Sequence, residues 1–451
     1  MVRRVDSETM KKVVQYISAR ARRPCAVRET GRAGSLEAFP EVGSRHVSQD
    51  SLVYNWNESD AASWRERPVQ VLDETLRDGL QSPSAQNPKL EHKLEGLRRM
   101  ARLGVAAVNL GLPSVSSAAR AETAQMLRVI REERLTLLPV CAGRTLPGDV
   151  TPILELAEET GVAIEVSVFV GASPIRWRAE GWDLQRVTKL TREAVALGAG
   201  AGLPVTFVTE DTTRTPPDTL RRLFELAIEH GATRLCLCDT VGSASAEGTR
   251  RLVTFAREIV SAAGRPIGLD WHGHDDRGLA LANALTAALC GVDRVHATAL
   301  GIGERVGNTP LELLVANLAF LAGQEPDAAS LRAYAEHFAT ALGLAIPENH
   351  PLVGANAFRT ATGVHAAAIV KALNKGAALA DRVYSSVPVS RFASGHDIMI
   401  GYMSGTSNVV HWLRRHSIEP SEGLVTRILE RARAANRVLR DDEVLAVVRA
   451  R

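Results

Sequence analysis

Ile267-Gly268-Leu269-Asp270-Trp271-His272-Gly273-His274 decides the fold, because it ends a strand-like apolar run on two imidazoles. Side chains at i and i+2 of a strand point the same way. Two histidines so placed converge on one point, and on the inner wall of a barrel that point suits a divalent metal ion. The run 267–272 is the seventh of eight of its kind; the others lie at 69–73, 106–110, 136–141, 163–170, 204–208, 234–239 and 294–298. Segments of helical periodicity separate them, at 90–103, 150–160, 183–198, 218–231, 247–263 and 279–291. Several of these end at or beside a glycine, as helices do. Eight strand–helix units over about 250 residues predict a (β/α)8 TIM barrel.

A doubly wound open sheet is the alternative, and the polar residues choose between the two. They gather at or beyond the C-terminal ends of the runs: 73–78, Asn109, Arg144, Glu210 and Asp211, Asp239 and Thr240, 272–274 and 304–308. That is the face on which barrel enzymes carry their sites. Residues of metal-ligand type follow the first, seventh and eighth runs. A closed barrel makes those three strands neighbours, whereas an open sheet need not.

The chain divides by pattern into an N-terminal extension (1–66), the barrel (67–325) and helical C-terminal subdomains (326–451). The extension is basic at its start, but Asp6, Glu8, Glu29 and Glu37 argue against a transit peptide, which is poor in acids. Tyr54 and Trp56 are its expected anchors.

Composition sets the class: 451 residues, 45% hydrophobic and 23% charged, are ordinary for a globular protein with a core too large to need disulfides. Cys25, Cys141, Cys236, Cys238 and Cys290 are odd in number and lie mostly in apolar runs, which predicts reduced thiols in a cytoplasmic protein. A net charge of +3 is too small to argue for nucleic acid or an anionic membrane surface. No apolar run reaches the roughly 18 residues of a membrane span.

Asp78, a hard oxygen ligand, joins His272 and His274, and Asn308 offers a neutral amide oxygen. Such a set leaves positions open for water and a chelating substrate, as catalytic metal sites do. Arg77 beside Asp78 is expected to face a substrate oxygen, the alternative being an Arg–Asp pair at the barrel mouth. In Gly301-Ile302-Gly303-Glu304-Arg305-Val306-Gly307-Asn308 the glycines predict a tight loop able to approach an anion, the alternative being an ordinary turn in which Glu304 and Arg305 pair with each other. If Asp239 faces the lumen, Cys236 and Cys238 face the helices as core. His92, His230, His296 and His337 read as structural residues without partners, and the basic run 431–440 reads as a solvated face.

Three stretches, LDETLRDGLQSP (72–83), HGHDDRGLALANAL (272–285) and GIGERVGNTPLE (301–312), resemble the signatures of the DRE-TIM metallolyase superfamily. That group includes 2-isopropylmalate, homocitrate and citramalate synthases, Re-type citrate synthase and 3-hydroxy-3-methylglutaryl-CoA lyase. VTEDTTR (208–214), CDTVGSA (238–244) and GANAFRTATGVH (354–365) extend the resemblance more loosely. DGLQ at 78–81 is similar to the lyase; the cysteine-free glycine loop and the segment bearing His365 are similar to the synthases.

The resemblance implies an acyltransferase condensing acetyl-CoA with a 2-oxo acid, 2-isopropylmalate synthase-like, in amino-acid biosynthesis. It implies a divalent ion (Zn, Mn or Mg) and a homodimer with shared active sites. The ion would sit on Asp78, His272, His274 and Asn308. Arg77, Glu210, His365 and Asp239 are the catalytic candidates, with His365, and also Tyr384, reaching the partner's site. Gln81, Arg144, Thr240, Gly301 and Gly303 are the candidate substrate contacts. Asn109, Ser167, Val208 and Leu80 depart from the residues usual at these positions (glutamate, histidine, serine and an acid) and predict an unusual, apolar oxo-acid pocket. Arg144 or Arg176 would reverse that by pairing a distal carboxylate. A chain ending at Arg451 leaves no room for the leucine-sensing domain of some relatives. The competing readings are a 3-hydroxyacyl-CoA lyase and an inactive barrel acting as a binding protein.

Overall fold

A strand covered by helices on one side and by its barrel on the other is buried on both faces, so short apolar runs suffice to make it. The computed structural model describes residues 52, 53, 56, 57 and 68–450. Eight parallel strands form a closed barrel: β1 (Gln70–Asp73), β2 (Ala107–Asn109), β3 (Leu138–Arg144), β4 (Glu165–Gly171), β5 (Val205–Glu210), β6 (Arg234–Asp239), β7 (Gly268–Gly273) and β8 (Arg294–Ala297). The ring closes where β8 pairs with β1, with Leu72 opposite His296. This is the predicted TIM barrel, and every predicted run overlaps a strand.

Which side chains fill the barrel follows from one contact. Arg294 on β8 reaches Glu165 on β4, on the far side of the ring, at 2.5 Å, so both point inward. Register then sets the remaining strands. Leu72, Ala107, Asn109, Val140, Ala142, Glu165, Ser167, Phe169, Thr206, Val208, Glu210, Arg234, Cys236, Cys238, Asp270, His272 and His296 share the inner face. The alternate residues, among them Val71, Val108, Val166, Phe207, Leu237, Leu269, Trp271 and Val295, are buried toward the helices. They form the larger apolar core. A helix not foreseen, Ser117–Glu132, lies between β2 and β3 and is capped by the Ser116 hydroxyl, which accepts from the Ala119 amide.

The chain falls into two units, one of Lys93–Pro326 with the residues up to Ala85, the other of Asp327–Arg451 with Gln86–His92. The second unit carries helices including Ala328–Leu342, Gly363–Leu373, Thr406–Arg415, Glu422–Ala435 and Asp441–Arg449. It has its own core, in which Val409, Leu413, Ile428 and Val444 are buried together. Most of the extension expected over 1–66, with Cys25 and Tyr54, lies outside the described residues. Trp56 is 79% exposed and so is not a buried anchor. No helix among the described residues is long and apolar enough to cross a membrane.

Candidate active site

At the C-terminal mouth of the barrel, β1 runs straight into a tight turn. The Arg77 and Gly79 amides both donate to the Glu74 carbonyl, and the Ala299 amide after β8 donates to the Thr75 hydroxyl at 2.8 Å. This turn presents Asp78 to the two histidines that leave β7. His272 Nε2 lies 3.2 Å and His274 Nε2 3.7 Å from the same oxygen, Asp78 Oδ2, and the two nitrogens are 3.4 Å apart. His274 Nδ1 meets the Gly307 carbonyl at 3.2 Å, which turns Nε2 inward. Asn308 Nδ2 donates to Asp78 Oδ1 at 3.2 Å and to the Ile302 carbonyl, while Asn308 Oδ1 is buried without a partner.

This donor set fits a divalent cation. Asp78, His272 and His274 each offer a ligand atom within 4.8 Å of the others, and the orphan amide oxygen costs free energy unless something polar meets it. The charge states agree. Burial pushes the His274 imidazole down, and His272 adds to this, to about 4, so it is neutral at neutral pH. Burial would raise the Asp78 carboxyl, but Arg77 and the imidazoles outweigh it and hold it well below its usual value.

The glycines of the 301–308 loop are steric requirements. A Cβ on Gly303, at φ +155°, would lie 2.0 Å from Asn308 Nδ2 and 3.1 Å from Asp78 Oδ1. One on Gly307, at φ +100°, would lie 1.8 Å from the Gly301 carbonyl oxygen. The alternative pairing of Arg305 with Glu304 is not formed. Arg305 pairs with Asp276 at 2.7 Å and donates to the Thr240 carbonyl at 2.6 Å, which ties the β8 loop to the β6 and β7 loops.

Arg77 is held in two places, with Nε donating to Glu74 at 2.7 Å and Nη1 lying 3.2 Å from Asp78. Thus the Arg–Asp pair offered as the alternative exists, and it sits at the ligand cluster. Glu74 also lies 3.2 Å from His296 Nδ1 and accepts from Asn109 at 3.3 Å. His296 therefore has partners, contrary to the expectation. Its second nitrogen meets Asp270 at 3.1 Å, and Asp270 in turn pairs with Arg294 and Arg234, both at 2.6 Å. Burial would lower the His296 imidazole, but its surroundings raise it to about 10. Cys236 is one neighbour, but burial keeps that thiol protonated, so the charges at work are Asp270 and Glu74. Glu74, His272 and His296 also lie within 4.8 Å of one another, yet a histidine between two carboxylates is engaged already.

Other candidates fall elsewhere. Asp239 faces away from the lumen. Its carboxylate accepts from the Ser243 and Ala244 amides and from the Thr213 hydroxyl at 2.9–3.1 Å, a loop cap rather than a catalytic position. Cys236 and Cys238, expected to face the helices, line the lumen instead, with their sulfurs 3.9 Å apart. Thr240 accepts from the Asp211 amide at 2.7 Å and keeps its own O–H to donate. Glu210, at the end of β5, is paired with Arg176 at 3.1 Å, and burial raises its carboxyl despite that cation. Arg144 is tied to Asp149 by two bonds of 2.7 and 3.0 Å. Gln81 is exposed. His365 and Tyr384 belong to the second unit, where their rings stack at 4.1 Å.

A family model described as HMGL-like matches residues 68–335. A homocitrate synthase of Methanopyrus kandleri is 33% identical over 369 residues, covering 81% of this chain and 87% of that protein. A probable 2-isopropylmalate synthase of the same organism is 31% identical, covering 81% and 69%. An (R)-citramalate synthase of Methanocaldococcus jannaschii is 29% identical, covering 84% and 74%. Among solved structures, hydroxymethylglutaryl-CoA lyase of Pseudomonas aeruginosa superposes with a TM-score of 0.52 at 22% identity, over 61% of this chain and 94% of that one. That likeness shows the barrel fold alone.

Proposed function

We propose that this chain, which belongs to the HMGL-like (DRE-TIM metallolyase) family, is an acyltransferase that condenses acetyl-CoA with a 2-oxo acid. The observation that carries the reading is the convergence of Asp78, His272 and His274 beside Arg77, with the Asn308 amide oxygen left unpaired. Asp78, His272, His274 and Asn308 would hold a divalent ion, which would supply a Lewis acid for the oxo acid. Arg77 is the cation that stabilises the alkoxide developing on the former keto oxygen. Thr240 donates its O–H to the oxo-acid carboxylate. Glu210, its carboxyl raised by burial, is suited to moving a proton to or from the acetyl methyl. His365 completes that work from the second subunit of a homodimer.

Within this class the reading favours a monocarboxylic, branched or aryl 2-oxo acid, with a 2-isopropylmalate-type product destined for amino-acid biosynthesis. Away from the ligand cluster the inner wall carries Ala142, Phe169 and Val208, with the neutral hydroxyls of Ser167 and Thr206 and no free cation beside them among the described residues. The two arginines able to receive a distal carboxylate are already neutralised, Arg144 by Asp149 and Arg176 by Glu180 and Glu210. A buried carboxylate without a cationic partner is costly. The test is a thiol-release assay with acetyl-CoA across a panel of 2-oxo acids. Branched or aryl oxo acids should exceed 2-oxoglutarate and oxaloacetate in kcat/KM. Preference for a dicarboxylic oxo acid, abolished by Arg144→Ala or Arg176→Ala, would overturn the choice and place the enzyme with the homocitrate synthases.

A further inference from the structure

Seven ionisable side chains form one unbroken line from the floor of the barrel to its mouth, and their charges alternate. Glu165 meets Arg294 at 2.5 Å, Arg294 meets Asp270 at 2.6 Å, and Asp270 meets His296 at 3.1 Å. His296 then meets Glu74 at 3.2 Å, Glu74 meets Arg77 at 2.7 Å, and Arg77 meets Asp78 at 3.2 Å. All but Arg77 are buried, and Arg77 is the one member that opens toward the mouth. A long, flexible arginine side chain loses much rotamer entropy when fixed, so its direction depends on what holds it from behind. Among the described residues Glu74 does that: it takes Nε, the atom nearest the stem, while its other oxygen accepts from Asn109 at 3.3 Å and lies 3.2 Å from His296 Nδ1, an ion-pair contact without hydrogen-bond geometry. With carboxylates at both ring nitrogens, His296 fits as the bridging cation between them.

We propose that Glu74 and His296 are positioning residues for Arg77: they aim the guanidinium at the reacting oxygen, and their effect on the reaction runs through Arg77. The proposal rests on the acyl-transfer reading for what Arg77 does, but the geometry it asserts is independent of that reading. Neither residue needs to touch substrate. Loss of either should lower kcat and leave ground-state binding alone, because a misdirected Arg77 fails where charge develops and not where substrate docks.

The experiment is a double-mutant cycle on the full chain with its divalent ion bound, read by thiol release, together with crystal structures of the single variants. His296→Gln and the nearly isosteric Glu74→Gln should each lower kcat roughly 10- to 100-fold, as loss of a supporting shell does. KM should stay within about twofold and metal content should be unchanged. In an Arg77→Lys background the same substitutions should cost less than about twofold more, since effects through a shared group do not add. In the crystal structures Arg77 should leave its place beside Asp78. Equal penalties in both backgrounds, or an unmoved Arg77, would overturn the proposal. If one variant fails to fold, the other decides. Were the wild type to release thiol with no 2-oxo acid, the acyl-transfer reading would fail, and the position of Arg77 in Glu74→Gln would still decide this proposal.

Discussion

Replacing Arg294 by methionine should destabilise the barrel severely. Arg294 is 1% exposed and bonds both Glu165, at 2.5 and 3.2 Å, and Asp270, at 2.6 and 2.8 Å. Its loss leaves Asp270 with Arg234 and His296, but leaves Glu165, among the described residues, with the Thr206 hydroxyl at 2.7 Å as its one side-chain hydrogen-bond donor. Breaking one partner out of a buried ion pair costs about 3–5 kcal/mol. Set against a typical stability of roughly 5–15 kcal/mol, that is a large fraction. The deficit should also depend on pH. In the wild type, burial would raise the Glu165 carboxyl, but Arg294 and Arg234 outweigh it and hold it below its usual value. A carboxyl depressed on folding stabilises above its unfolded pKa of about 4.3 and loses that contribution as pH falls. With Arg294 gone, burial dominates and the sign reverses, so the folded carboxyl costs stability as pH rises. The difference between wild type and variant is therefore widest at neutral pH and narrows toward about pH 4. Urea unfolding at both pH values, followed by far-UV circular dichroism, measures it. Adding Glu165→Gln should recover part of the loss at neutral pH. A deficit under about 1 kcal/mol, or one that does not change with pH, would refute the reasoning.

Asp78→Ala and His272→Ala should each strip the divalent ion, measured by elemental analysis of purified protein; metal content equal to wild type in both would sink the site. Gly303→Ala should also lose ion and activity while the barrel stays folded, since its new methyl displaces the Asn308 amide; unchanged metal content would show that the loop gives way. Inactive His365→Ala and inactive Arg77→Ala chains, mixed, should regain part of the wild-type activity if sites are shared across a dimer. A fully active monomer in sedimentation would contradict this.

The eight strands were legible because a parallel barrel strand is a short apolar run between helical periods, and the cluster of candidate ligands was legible because its members sit where those runs end. What could not be read was which face of each strand looks inward. A strand buried on both sides carries no polar-out signal, and a parity error of one residue turns every side chain over. Placing Asp239 in the lumen therefore sent Cys236 and Cys238 outward, and the contact between Arg294 and Glu165 reverses all three. That contact joins residues 129 apart in the chain, and the partners of Asp270 lie 24 to 36 from it, so no local pattern announces them. A weaker signal was present nonetheless. Glu165, Asp270, Arg294 and His296 interrupt runs that are otherwise apolar, and a buried charge demands an opposite one. Counting those charges by strand parity puts them on one face, and a face carrying both signs inside a closed ring has only its own members to pair with. The same count includes Glu74, two residues past Leu72 on β1, and so leads from the structural floor of the barrel to Arg77 at its mouth.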